Sequence, residues 1–179
     1  MATENALTSA RESSSLNRYP SQKALLGVGL IALIVITSAL ILQYGFGYEP
    51  CELCLQQRWP YYLGVPFALA LSAGGMALPR TGRILCLFLL GSLFAYGAVL
   101  GVYHAGAEWG FWLEGTSCSA AHVHLEAQDL LAELSTAHVV SCTDPRIRVL
   151  GLSLAGWNVV VMVLLIGFLL AGLRSEFRA

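Results

Sequence analysis

The stretch from Ala24 to about Tyr44 is almost purely apolar, and no other feature restricts the folding of this chain as much. At 1.5 Å per residue, about 20 helical residues match a hydrocarbon core of roughly 30 Å. A cleavable leader would carry an apolar region of about 7–15 residues followed by a small-x-small cleavage site. This run is longer and ends in Gln43-Tyr44-Gly45-Phe46, so a retained helix is expected. Three more such runs follow, at about Trp59 to Leu78, Ile84 to Tyr103 and Leu150 to Leu173. Only 12% of the 179 residues are charged and 56% are hydrophobic, whereas a soluble domain is about a quarter charged. The expected fold class is an all-α membrane protein, a four-transmembrane-helix bundle spanning about 24–44, 59–78, 84–103 and 150–173. A polar, Ser-rich, disordered tail (1–23) precedes the bundle, outer loops cover 45–58 and 104–149, and a short tail (174–179) ends the chain.

Four crossings put both tails on one side, and basic residues near span ends orient the whole. Arg11, Arg18, Lys23, Arg80, Arg83, Arg174 and Arg178 fall on one side, against Arg58, Arg146 and Arg148 on the other. The tails are therefore expected inside and both long loops outside, where disulfides persist. Pro60 suits a first helical turn, and Pro66 is expected to kink the second span. The net charge of -1 and the lack of a basic patch or a Gly-rich phosphate loop speak against nucleic-acid or nucleotide chemistry.

The chemistry sits between the first two runs, in Tyr48-Glu-Pro-Cys-Glu-Leu-Cys-Leu-Gln-Gln-Arg-Trp-Pro60. Cys51 and Cys54, two residues apart, can close a small ring and trade thiol for disulfide. Cys54 near a helix start would have its thiolate favoured by backbone N–H groups, which makes it a better leaving group. The alternatives are a static disulfide and a metal half-site, the latter needing two further ligands on the same face. Cys118 and Cys142, if paired, close a loop of about 25 residues, worth roughly 3–3.5 kcal/mol. They are either a structural staple or a second exchangeable pair that takes electrons from a soluble partner and passes them to Cys51–Cys54. Between them Ala120, Val123, Ala127, Leu130, Leu131 and Leu134 recur at helical steps, which predicts a short amphipathic helix in the membrane interface. Arg58, at the outer edge of a span, is either an interfacial anchor or a donor fork for a carbonyl or enolate oxygen of a bound acceptor. His104 closes the third span at the same depth, followed by an interface belt of Trp109, Phe111 and Trp112. Cys86, near the inner end of that span, reads as a small buried hydrophobe. A metal or haem carrier using His104, His122, His124 and His138, and a purely structural four-helix subunit, are the rival readings. The histidines are scattered and no Cys-x-x-Cys-His occurs.

Taken together, these residues resemble the DsbB family of bacterial membrane disulfide oxidoreductases. The likeness covers about 24–173 and rests on Pro-Cys-Glu-Leu-Cys-Leu-x-x-Arg at 50–58, Tyr-His-Ala-Gly-x-Glu-Trp-Gly-Phe-Trp at 103–112, Ser-Cys at 117–118, and Cys142 followed by Leu150-Gly-Leu-Ser-Leu-Ala-Gly-Trp157. The resemblance implies that Cys118–Cys142 is the disulfide attacked by a reduced periplasmic thioredoxin-fold oxidase of the DsbA kind. Cys51–Cys54 would then reoxidise that pair, and Cys54 would pass the electrons to a membrane quinone, ubiquinone or menaquinone. Arg58 would stand at the quinone oxygen with His104 close by, and no metal would take part. The same resemblance places the chain in the bacterial inner membrane, with cytoplasmic termini and periplasmic redox loops. Two departures stand out: Leu154, where members often carry Met, and Arg146-Ile-Arg148, where they often carry aromatics.

Overall fold

The computed structural model describes residues 20–74, 77–112, 142–143 and 147–178. Helix α1 covers Pro20–Leu40 and passes into a π-helical stretch, Ile41–Gly45. A five-residue helix α2 (Glu52–Gln56) and helix α3 (Trp59–Gly74) follow. Helix α4 runs Arg80–Glu108, a two-residue hairpin pairs β1 (Arg148–Val149) with β2 (Leu152–Ser153), and α5 covers Leu154–Arg178. Helix α1 begins at Pro20, inside the expected disordered tail 1–23; residues 1–19 of that tail, the expected amphipathic helix between Ala120 and Leu134, and Cys118 lie outside the described residues.

Ser21–Gly45, Arg80–Glu108 and Leu154–Arg178 are each long and apolar enough to cross a membrane. Helix α3 has 16 residues, about 24 Å at 1.5 Å per residue. It runs through Pro66 without ending there, and Pro60 stands in its first turn as expected. Helix α4 extends beyond its expected span at both ends, whereas α5 starts at Leu154 rather than at the expected Leu150, where the hairpin turn stands, and runs past Leu173 to Arg178. His104 is therefore helical and does not open a loop.

The helix ends are built by local chemistry. The Ser153 hydroxyl accepts the Gly156 N–H at 3.1 Å and caps the start of α5. At the other end of α4 the Gly110 N–H bonds to Ala107 O and the Phe111 N–H to Gly106 O, with Gly110 at φ +74. This is the paired closure that a left-handed residue after the helix allows. The Trp112 ring then folds back on Gly106, stacks on Tyr103 and donates its indole N–H to Tyr103 O at 3.0 Å. The sequence-predicted aromatic belt thus forms a small folded end to α4.

The core is a narrow seam of Val28, Ala32, Tyr61, Ala68, Leu90, Phe94, Met162 and Leu165 drawn from α1, α3, α4 and α5. Large apolar side chains such as Leu85, Phe88, Val99 and Val163 point outward and stay exposed, as helices facing lipid require. Without a hydrophobic drive between helices in lipid, small residues set their closeness. On α4, Gly97 faces Met162 and Gly101 faces Val159 and Asn158 of α5, with no room for a Cβ at either position.

At one end of the bundle Glu176 binds Arg83 at 2.8 Å and accepts the Ser21 hydroxyl at 2.6 Å. Leu71 of α3 packs at the same end. The start of α1, the start of α4 and the ends of α3 and α5 therefore meet there, and the opposite ends converge on the cysteine segment. The hairpin turn holds a strained residue. Leu150 has φ 54 beside Gly151 at φ 82, as a two-residue turn of this hand demands. An L-side chain in that region costs about 1–2 kcal/mol. Leu150→Gly is expected to stabilise the detergent-solubilised protein by about 1 kcal/mol, measured as a raised thermal midpoint.

Candidate functional site

Pro50 and the turn before it deliver Cys51 to the N-cap of α2, where its backbone is extended and its sulfur accepts the Cys54 N–H at 3.4 Å. One helical turn brings Cys54 Sγ to 3.2 Å from Cys51 Sγ. The sequence placed Cys54 near the start of a second span expected from about Trp59; α3 does begin at Trp59, and the pair has a short helix of its own ahead of it.

The two sulfurs are electrostatically unlike. Cys51 is pushed up to about 12, first by the hydrogen bond it gives to Cys54 and next by burial. Cys54 is held below the ordinary thiol value, first because its sulfur accepts that bond; burial opposes the shift, while the Cys51 backbone and the Arg58 charge assist it. Cys54 is thus the more acidic thiol of the pair and Cys51 the one that holds its proton more tightly. Alkylation of Cys54 is expected to proceed below the usual thiol pH range, and in Cys51→Ala its midpoint should move to higher pH. Mass-spectrometric alkylation rates against pH check this; an unmoved midpoint would refute the sulfur–sulfur bond as the cause.

A polar chain runs behind the pair. His104, 3% exposed, places Nε2 at 3.7 Å from Cys51 Sγ and Nδ1 at 2.7 Å from the Gln57 side-chain amide nitrogen. Gln57 Oε1 accepts from Asn158 Nδ2 at 2.6 Å, and Asn158 Oδ1 accepts the Tyr61 hydroxyl at 2.6 Å. Four elements, α2/α3, α4 and α5, are thereby tied to one imidazole. On its other side His104 Nε2 lies 3.7 Å from Glu108 Oε1. Gln57, Asn158, Tyr61 and Glu108 were not singled out in the sequence. The only signal was the four-residue step from His104 to Glu108, which puts both on one face of α4.

Cys142 is 2% exposed and packs in one small cluster with Cys51, Leu53 and Cys54, and its backbone reaches the His104 ring. One cysteine of the outer pair is therefore brought to the inner pair. Cys86 lies elsewhere, packed against the helical core. Arg58 donates to Gln43 Oε1 from the π-helical end of α1.

These residues border a mostly apolar cleft of about 570 Å³, walled by Ile34, Val35, Leu42, Leu154 and Val161 and closed at its polar end by Cys54, Arg58 and His104. Leu154 and Ile147, from the two departures noted in the sequence, both line it. An apolar slot with a few polar groups at one end suits a flat, hydrophobic molecule bearing a polar oxygen. Cys51, Cys54 and His104 also bring three donor atoms within 4.8 Å of one another, a convergence that the 49 residues between Cys54 and His104 conceal.

Fold and site together define a helical membrane protein carrying a buried dithiol beside an apolar cleft. The family model described as Disulfide bond formation protein DsbB matches residues 21–172, and the chain belongs to that family. It is similar to a protein of Pseudomonas putida named Disulfide bond formation protein B 1, 33% identical over 159 residues, covering 86% of this chain and 89% of the other. A Cupriavidus pinatubonensis protein named Disulfide bond formation protein B is 29% identical over 164 residues, 84% and 93% of the two chains. An uncharacterised protein of Rickettsia prowazekii is 26% identical over 142 residues, 78% and 80%. No solved structure matches. Membership in this family makes the chain a membrane disulfide oxidoreductase.

Proposed function

We propose that the chain reoxidises a periplasmic thioredoxin-fold oxidase of the DsbA kind and delivers the electrons to a membrane quinone. The observation that carries this reading is the Cys51–Cys54 pair lying at the polar end of an apolar cleft, with Cys142 packed on it from the other side. The reduced partner's thiolate attacks the Cys118–Cys142 disulfide, and a mixed disulfide resolves to the oxidised partner and two thiols. The Cys51–Cys54 disulfide takes the electron pair in turn. Reoxidation of that dithiol forms one S–S bond and releases two electrons and two protons, which convert a quinone to its quinol.

The chain's own groups suit these steps. Cys54, stabilised as thiolate, is the sulfur that faces the acceptor and Cys51 holds the remaining proton. Arg58 lines the cleft beside Cys54, where its guanidinium would bind the acceptor oxygen. His104 holds its Nε2 at 3.7 Å from Cys51 Sγ, with the ring oriented by Gln57. The apolar walls exclude water from the exchange and admit the acceptor from lipid.

Four crossings, with both termini cytoplasmic and the sulfur segment periplasmic in the bacterial inner membrane, complete the reading. In support, α3 runs from the sulfur end to the end occupied by Ser21, Arg83 and Glu176, so it covers the thickness its neighbours cover. Seven basic residues on the tail side against three on the other set the orientation.

The decisive assay is quinone reduction by the purified protein given a reduced thioredoxin-fold partner, followed by the quinone's ultraviolet absorbance. Catalytic loss of absorbance supports the reading; none, with partner and quinone varied, overturns it. Arg58→Ala is expected to raise the apparent quinone KM about tenfold or more, since a charge-assisted hydrogen bond is worth about 1.5–3 kcal/mol. An unchanged KM would remove Arg58 from the acceptor site.

A further inference from the structure

The sulfur centre has the makings of a second, non-redox site. Cys51 Sγ lies 3.2 Å from Cys54 Sγ and 3.7 Å from His104 Nε2, and all three atoms fall within 4.8 Å of one another. A tetrahedral Zn²⁺, about 2.3 Å from sulfur and about 2.0 Å from nitrogen, holds its ligand pairs at roughly 3.5–3.8 Å. The donors are therefore close to binding positions already, and thiolate with imidazole is a set that zinc favours.

A separate observation points the same way. The Glu108 side chain is 4% exposed, its Oε1 lies 3.7 Å from the same imidazole nitrogen, and its Oε2 has no hydrogen-bond partner among the described residues. A buried carboxylate oxygen left so is costly unless positive charge faces it. We propose that the dithiol form of this chain binds one Zn²⁺ through Cys51 Sγ, Cys54 Sγ and His104 Nε2, with Glu108 adding negative charge beside it. No electron moves; the thiol protons are released to solvent as the metal enters. The bound pair is withheld from thiol–disulfide exchange, so zinc inhibits. The binding stands on the geometry alone, and only the inhibition rests on the proposed function.

The polar chain behind the histidine accommodates this. A metal at Nε2 needs the imidazole proton on Nδ1, and a ligating histidine donates that proton to a neighbour. If both amides turn over, Gln57 Oε1 accepts from Nδ1, Gln57 Nε2 donates to Asn158 Oδ1, and Asn158 Nδ2 donates to the Tyr61 hydroxyl, which accepts as readily as it donates. Every partner in the chain is kept. Oxidation of the pair removes both thiolates, so the disulfide form does not bind.

The test uses the purified full chain in detergent, as dithiol and as disulfide, titrated with Zn²⁺ against a chromophoric chelator of about micromolar affinity. One equivalent retained by the dithiol form and none by the disulfide form is the expected result, with sulfur-to-metal charge-transfer absorption when Co²⁺ replaces Zn²⁺. A Cys86→Ala/Cys118→Ser/Cys142→Ser chain should keep that equivalent. Glu108→Gln and Gln57→Leu should each weaken binding by about 10–100-fold at unchanged stoichiometry. No retention by the reduced wild-type chain, equal retention by the oxidised chain, or a charge-transfer band lost with Cys118 and Cys142 would each overturn the site. Thiol oxidation should stop at saturating zinc and return with chelator; turnover indifferent to zinc overturns the inhibition. Metal-free protein that never reduces quinone would instead strike the proposed function and leave the binding curve standing.

Discussion

Cys51→Ser and Cys54→Ser should each bring quinone-coupled thiol oxidation to background, while Cys86→Ala turns over normally. The reason lies in the pair's asymmetry. Cys54 is the more readily ionised sulfur, because Cys51 donates to it, and serine at 54 leaves no nucleophile or leaving group at that position. Serine at 51 leaves Cys54 without the partner that must close the S–S bond, so the electron pair has no source. A structural disulfide would behave otherwise, since its loss lowers stability and spares turnover. Partner oxidation and quinone absorbance, measured beside a thermal melt, separate the two. Full turnover in either serine variant would sink the assignment.

The second large effect is expected far from the sulfurs. Glu176→Ala should destabilise the folded protein by about 3 kcal/mol, the lower end for breaking a buried ion pair. Arg83 keeps some contact with solvent, at 22% exposure against 5% for Glu176, which moderates the loss. The carboxylate also accepts from Ser21, so one substitution unties α1 and α4 from α5 together. Glu176→Gln, which keeps the shape and can still accept from Ser21, should lose less. Denaturation of the detergent-solubilised protein measures both; equal stability of wild type and Glu176→Ala would show the pair to be idle.

Much of this molecule was legible in the chain. Apolar runs announce themselves because lipid tolerates little else; Cys51, Cys54 and Arg58 stood together in one motif, and His104 stood in a second, distant one. Helix ends were less legible. Arg80 and Arg83 lie ahead of the third span as expected from Ile84, yet they begin α4, where Pro79 is the N-cap. The second span was expected from Trp59, where α3 begins, but the short helix α2 that carries Cys54 lay in what read as a loop. The groups behind the sulfurs were the hardest to see. Gln57, Asn158, Tyr61 and Glu108 are ordinary residues on different helices, and only tertiary packing gives them a common partner. Cys142 had an expected role but no expected position, since nothing in its spacing says that it rests on Cys51 and Cys54.

Gly101 carries a consequence for that hidden network. A methyl group there would meet Val159 and stand 3.3 Å from the Asn158 amide, the very amide that hands its hydrogen to Gln57 and so steadies the histidine beside the thiols. The spacing of two lipid-embedded helices is thus a tuning screw for chemistry at the membrane surface: widen the gap by one carbon, and the imidazole loses its compass.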